Sequence, residues 1–532
     1  TKLCGNSYST FPFVNFLWES PDGSQIIMYQ NPGGFGSFTA SHKFDKLRRI
    51  VKKGEQLKVD YTKDEPEKMD VFSDEKPPIG LFVGKGDGGH GPTGEEVAII
   101  DLLIEKEKIS SWITATEYFK TKLEPFRDRL PIWNDELYYE YHRGTLTTQD
   151  LVKRLNRYFE WRLCTVESLL TLASMKYKVN IDEESKKLRK AWKFTLLHQF
   201  HDVLPGSSIP EVFDDVYDFW ELAKNIIDEI EDAAWEMIIK KQDATEVQGK
   251  AHILFNGTGH NIENGILEIP IKDEPPSHIE IDGLPKAVQL VKADEFDLDP
   301  IFAKRPKRLI TTCSIPQHGF KIISFNSDTT PEIKSSLKII QNDEECIIEN
   351  NLYKIRVNKR SGNVESIIYK KNGKEILKKP GIEFKLFFDF TLSEQCWNML
   401  PAYREMEIEQ DDPIQVKITE KGPVRATIEI QREIFNEESE HEENGRSKLI
   451  QRLSLYDNAP GIEIEFLIDW HTCDATAKLD IHTTTSAEKI VSETPYGTIE
   501  RKSRPEANHD VPRWENVHQT WFDIPSSDNT WG

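Results

Sequence analysis

Residues 198–208 read HQFHDVLPGSS, and this short stretch separates two long segments with helical apolar spacing. Before it, from about Glu183 to Phe200, Leu188, Ala191, Trp192, Thr195 and Leu196 recur on one face. After it, Ser208 with Glu211 three residues on reads as a capping box. The helix it opens carries Val212, Val216, Trp220, Ala223, Ile227, Ile230 and Ala234. Further upstream Thr147 and Asp150 read as another such box, followed by Leu151, Leu155, Phe159, Val166, Leu170 and Ala173. Three amphipathic helices joined by short turns predict a helical bundle.

Either side of the bundle the pattern changes. Residues 1–118 mix short apolar runs with glycine and proline. Gln25–Tyr29 and Ile79–Val83 read as buried strands, and Glu95–Glu107 as a helix with Val97, Ile100, Leu103 and Ile104 on one face. Strand, glycine-rich loop and helix make an α/β pattern. Beyond about residue 250 the period becomes two. His252–Phe255, Gly265–Ile269, Gly319–Ile323, Leu352–Val357 and Ile462–Ile468 alternate, and Asn372-Gly373 marks a hairpin. This half reads as β-sandwich. The chain is therefore expected to be multidomain, α/β then α then β. Its expected domains are 1–118 (α/β), 119–245 (three-helix bundle), 246–335 (small β domain) and 336–532 (β-sandwich).

Composition narrows the partners. Lys plus Arg number 68 against 90 Asp plus Glu, a net charge of −22 over 532 residues. That argues against nucleic acid or an anionic membrane as a partner. No uninterrupted apolar run reaches the about 18 residues a spanning helix needs. The six cysteines, at 4, 164, 313, 346, 396 and 473, are dispersed, which suits a reducing, cytoplasmic setting or simply buried thiols. Asn256-Gly257-Thr258 is a single glycosylation sequon, a pattern that mostly arises by chance.

Three stretches carry candidate chemistry. His201 and Asp202 sit where the second helix ends, and an acidic residue there faces the negative end of the helix dipole. A divalent metal beside a His-Asp pair would reverse that penalty; the alternative is an exposed Asp and a half-buried His at a helix end. His198 and His201 are three apart and could share a helix face, but packing of His198 in the bundle is the better reading. The loop Gly84-Lys85-Gly86-Asp87-Gly88-Gly89 contains GxGxxG. A nucleotide site there would set Asp87 against a pyrophosphate; glycines presenting Asp87 as a general acid and a surface turn are the other readings. Trp133 to Thr145, with Tyr139, His142 and Arg143, is dense in aromatic and hydrogen-bonding groups. It suits sugar recognition or a packed connection between domains.

Taken in order, four segments resemble glycoside hydrolase family 38, the zinc-dependent α-mannosidases, most closely the branch with cytosolic and microbial enzymes. They are Phe11-Pro12 with Phe16–Glu19 and Asp22–Ser24; Gly86–Gly89 ending in Gly91-Pro92-Thr93; Glu136–Tyr138 with Glu140–Thr145 and Thr147-Thr148; and Gln199–Ser207. The resemblance implies that residues 1–118 are the C-terminal part of a β/α-barrel-like catalytic domain. It implies a retaining hydrolase of terminal α-linked mannose in glycans or oligosaccharides, with Zn2+ holding sugar hydroxyls. Retention needs a nucleophilic and an acid/base carboxyl about 5–5.5 Å apart. By resemblance His201 is a zinc ligand, Asp202 contacts the sugar, Asp87 is the acid/base, and Lys2 lies near a basic position beside the nucleophile. Tyr139, His142 and Arg143 are the other expected substrate contacts.

The family's first zinc ligands, a His-x-Asp pair, and its nucleophilic Asp correspond to positions upstream of residue 1. The chain is therefore expected to be part of a longer protein or to work with a second polypeptide, as a homo-oligomer. A non-catalytic carbohydrate-binding or scaffold protein derived from the family is the alternative. Between Leu392 and Leu400 the family tends to place acidic residues between tryptophans, where this chain has Ser393-Glu394-Gln395-Cys396-Trp397-Asn398.

Overall fold

A computed structural model describes residues 13–30, 77, 80, 83, 91–107, 110–137, 142–241, 251–271, 275–293, 307–326, 334–391, 394–411, 413–504, 510 and 513–525. The chain divides into two compact units, residues 1–143 with 486–532, and residues 144–485. It is a mixed α/β protein with antiparallel sheets dominating its second half. Among the described residues no helix is long and apolar enough to cross a membrane.

The first unit opens with a hairpin of β1 (Asn15–Glu19) and β2 (Gln25–Tyr29), pairing Leu17 with Ile27. Gly23 at φ +83° makes its turn, a conformation glycine adopts without a Cβ penalty. β3 (Ile132–Trp133) joins β1 in parallel, Trp18 opposite Trp133. Helix α1 (Gly94–Glu105) is capped reciprocally by Thr93 and Glu96, and buries Ile100 and Leu103 as its periodicity predicts. The expected strand Ile79–Val83 falls largely outside the described residues.

The second unit begins with the bundle: α2 (Asp150–Tyr177), α3 (Asp182–Leu197) and α4 (Pro210–Ile239). Their apolar faces form one continuous core from Val152 to Ile238. At its centre Phe159 stacks on Trp220, ring centroids 4.3 Å apart, and His198 lies against the same indole at 4.9 Å.

Neither expected capping box forms here. α2 starts from Gln149 in the left-handed region without a side-chain cap. α4 starts from Ile209, with Pro210 supplying the preset φ of a first helical turn. The Ser208 hydroxyl predicted to cap donates to the Asp202 carbonyl instead. Helix α3 also ends at Leu197, not Phe200, so Asp202 lies one loop beyond the negative dipole end.

Two β layers follow. β4 (Ala251–Phe255), β10 (Phe320–Asn326), β6 (His278–Ile281) and β7 (Leu284–Lys286) form one sheet. β5 (Ile262–Pro270), β9 (Arg308–Ile315) and β8 (Gln289–Val291) form a second. The two share a small core that includes Ile269, Ile279, Leu309 and Ile323. Asn256 is 2% exposed and donates to the His260 and Pro316 carbonyls at 2.7 and 3.1 Å. The sequon is therefore a loop brace in the folded chain.

The larger sandwich packs an eight-stranded sheet on a four-stranded one. The former contains β11 (Lys338–Gln341), β12 (Glu345–Glu349), β13 (Tyr353–Asn358), β14 (Val364–Tyr369), β15 (Lys374–Glu375), β16 (Leu377–Phe388), β17 (Glu407–Ile408) and β22 (Ala475–Thr483). The latter is β18 (Gln415–Lys421), β19 (Arg425–Ile434), β20 (Ser447–Tyr456) and β21 (Glu463–Asp469). Ile348, Ile355 and Val364 meet Ile428, Ile430 and Leu453 between them. Gly373 at φ +71° turns β14 into β15, as Asn372-Gly373 predicts.

The chain then returns to the first unit as β23 (Lys489–Thr494), β24 (Gly497–Lys502) and β25 (Phe522–Asp523). Arg501 grips Glu136 through two hydrogen bonds of 2.8 Å, and Arg513 reaches Asp135 at 2.8 Å. This two-unit grouping is coarser than the four domains expected, since the bundle and both β layers lie mainly in residues 144–485.

Burial lowers the His198 imidazole from its ordinary 6.5 to about 4. The folded bundle thus keeps the ring neutral where the unfolded chain protonates it. Its stabilising effect is full above pH 6.5 and is withdrawn as pH falls toward 4, about 3 kcal/mol in all. Urea midpoints followed through that window should decline, and His198→Leu should flatten the decline; an unchanged slope in the variant would exclude His198 as its source.

Candidate functional site

The turn after α3 is fixed from beneath, and its side chains are left outside. Gln199 first ties the chain to α2, its amide donating to Asn156 Oδ1 at 3.1 Å and Glu160 Oε1 at 2.8 Å. The backbone then makes tight turns, Val203 N–H to Phe200 O and Gly206 N–H to Val203 O, both at 2.9 Å. At φ +86° Gly206 is left-handed, and a Cβ there would lie 2.5 Å from the Thr148 carbonyl oxygen. Glycine is thus required twice over, by conformation and by space.

Lys153 closes the arrangement. Its ammonium donates to the carbonyl oxygens of Thr148, Leu204 and Pro205, which uses all three of its N–H bonds. Burial lowers its pKa to about 8, against a smaller opposing effect of Asp150. The Ser208 hydroxyl donates to the Asp202 carbonyl at 2.7 Å. The Thr148 hydroxyl donates to the Gly144 and Cys396 carbonyls at 2.8 and 3.1 Å. A Cβ at Gly144 would lie 2.9 Å from the Asn398 carbonyl oxygen. The start of α2, the 198–208 turn and the Glu394–Asn398 turn are thereby tied into one cluster of the second unit.

On this support His201 presents a side chain that is 76% exposed, its Nε2 3.6 Å from Asp202 Oδ2. The Phe200 ring flanks the imidazole at 4.3 Å. His198 points the other way, 3% exposed in the bundle, so of the two histidines only His201 is placed to meet a ligand. An imidazole and a carboxylate side by side suit a divalent metal or a sugar hydroxyl. They supply at most two of the four donors of a zinc site. Among the described residues no group of three His, Cys, Asp or Glu is placed to hold a metal ion.

The other sequence candidates fall elsewhere. His142, at φ +68°, and the buried Arg143 belong to the first unit. Lys2, Asp87 and Tyr139, and with them the Gly84–Gly89 loop, lie outside the described residues. The structure thus brings together His201 and Asp202 of the set. Lys153, Gln199 and Gly206 are what sequence reasoning missed. A lysine on an amphipathic helix carries no signal of three carbonyl partners 5 to 52 residues away.

Comparison with known proteins agrees with this arrangement. Residues 140–238 match the alpha mannosidase middle domain, and residues 348–532 the glycosyl hydrolases family 38 C-terminal domain. The chain belongs to glycoside hydrolase family 38. It is 25% identical over 546 residues to alpha-mannosidase G of Dictyostelium discoideum, covering 99% of this chain and 47% of that one. An alpha-mannosidase of Saccharomyces cerevisiae is 31% identical over 264 residues, 48% of this chain and 22% of the relative. The crystal structure of an alpha-mannosidase from Enterococcus faecalis V583 shares the fold, with a TM-score of 0.67 at 17% identity over 93% of this chain and 60% of that one. The chain spans about half the length, or less, of the relatives it matches.

Replacing Lys153 by Met keeps the buried stem and leaves three carbonyls without their donor. A loss of about 1–3 kcal/mol in stability is expected, with faster hydrogen exchange at the Val203 and Gly206 amides. Unchanged exchange at both amides would show that the turn does not depend on the ammonium.

Proposed function

We propose that this chain is part of a retaining α-mannosidase that removes terminal α-linked mannose from glycans or oligosaccharides. The observation that carries the reading is the exposed His201–Asp202 pair on a braced turn, in a chain that belongs to this family. His201 supplies one ligand to Zn2+, and Asp202 accepts hydrogen bonds from sugar hydroxyls. The bound metal would supply a fixed positive charge for those hydroxyls. The remaining ligands and the nucleophilic carboxylate come from outside residues 1–532, on a longer chain or on a second polypeptide.

Asp87 is assigned the acid/base role by resemblance, protonating the leaving glycosidic oxygen and then deprotonating water. Lys2, Tyr139, His142 and Arg143 are assigned to substrate in the same way. A cytoplasmic location, a homo-oligomer and the finer domain division at 118, 245 and 335 belong to the same proposal.

With the full-length protein, or the two polypeptides together, His201→Ala should lower kcat/KM for an aryl α-mannoside by more than about 100-fold. Exhaustive chelation should abolish turnover, and zinc should restore it. Hydrolysis that survives complete metal removal would overturn the zinc-assisted mechanism. Sugar binding without any turnover would favour the non-catalytic carbohydrate-binding reading.

A further inference from the structure

The exposed side chains of α3 change character along its length. Up to Lys193 they are polar: Glu183, Lys186, Lys187, Arg189, Lys190 and Lys193 all face solvent. In the last turn and the loop behind it they are apolar. Leu196, Leu197 and Phe200 are each more than half exposed, and so is Ile209, from which α4 starts. The inner face of the helix is already occupied, since Leu188, Ala191 and Thr195 are buried in the bundle. A helix end that is apolar on both its inner and its outer face is built to be covered.

This apolar stretch runs up to the candidate site. Leu196 and Leu197 stand four and three residues before Phe200, the spacing of neighbours on one helix face. The Phe200 ring lies 4.3 Å from the His201 imidazole. Its backbone is held in place, the Val203 and Leu204 N–H groups donating to the Phe200 carbonyl at 2.9 and 3.1 Å. The exposed ring is therefore a fixed feature of the braced turn. Exposed apolar side chains grouped beside a polar pair mark an interaction surface. What covers it follows from the site. His201 and Asp202 supply at most two of the four donors of a zinc site. Further donors must approach within about 2 Å of a metal on the imidazole, so the polypeptide that carries them settles over the Phe200 ring. An apolar surround is also what such a site uses to exclude solvent. The length of the relatives leaves room for that polypeptide, since the chain covers 47% of alpha-mannosidase G. A second copy of this chain would bring only a duplicate of the same His-Asp pair.

We infer that Leu196, Leu197, Phe200 and Ile209 form the docking surface for the polypeptide that carries the remaining zinc donors, the sequence upstream of residue 1 in a longer chain or a separate subunit. The identity of that occupant rests on the mannosidase reading; the switch from charged to apolar side chains along α3 does not.

The test is photo-crosslinking in the full-length protein, or in the two polypeptides together, with a benzophenone amino acid in place of Leu197. The same group in place of Met175, which is more than half exposed on α2, is the control. Crosslinked peptides from the upstream or partner sequence are expected from position 197 and not from position 175. In parallel Leu197→Glu should weaken zinc binding at least about tenfold while thermal unfolding of the bundle stays unchanged; should that variant not fold, Leu197→Gln takes its place. The inference is overturned if position 197 crosslinks to nothing, if it crosslinks to a second copy of residues 1–532 in a concentration-dependent way, or if the folded variant binds zinc as the unaltered protein does. Expected crosslinks in a protein that hydrolyses no mannoside would uphold the surface and refute the hydrolase reading alone. Zinc-dependent hydrolysis without those crosslinks would do the reverse.

Discussion

One ammonium group holds the site together. Lys153 gathers the carbonyls of Thr148, Leu204 and Pro205, from the start of one helix and from the turn before another. Backbone groups removed from water must find partners, and here a single side chain serves three. The side chains of the turn are relieved of that duty. His201 and Asp202 therefore face outward with their polar atoms unspent on structure, a condition any ligand-binding pair requires.

The bundle gives this brace its rigidity. Lys153 and Gln199's partner Asn156 sit on α2, whose inner face carries Phe159 and Leu163 into the shared core. Any shift of the turn would have to move a helix locked by the Phe159–Trp220 stack. Tolerances of a fraction of an ångström matter in a catalytic constellation, and a close-packed helical core is one of the few scaffolds stiff enough to hold them.

What could be read from the sequence followed the range of the interactions. Helical and alternating periods are local, so α1, β2 and the three bundle helices fall within a few residues of expectation. Caps were misread because Ser-x-x-Glu and Thr-x-x-Asp spacing does not say whether a hydroxyl bonds ahead to its own helix or elsewhere. Ser208 bonds elsewhere, to the Asp202 carbonyl. His201 and Asp202 were legible because their neighbours resemble a family motif, not because two residues define a site. Glu136 illustrates what stays hidden: its partner Arg501 lies 365 residues away, beyond the reach of any local pattern.

That separation bears on how the protein is made. The second unit is continuous, whereas the first is closed only when residues 486–532 return to it. A ribosome releases the bundle and both β layers before it has synthesised Arg501. The contiguous unit has everything it needs to fold while the chain is still growing. The first unit must wait, its 13–143 segment holding a place for strands not yet made, and its pairing is among the most non-local in the molecule. Order of assembly is thus written into the chain as an insertion: the contiguous unit can be finished before the two segments that flank it are able to pair.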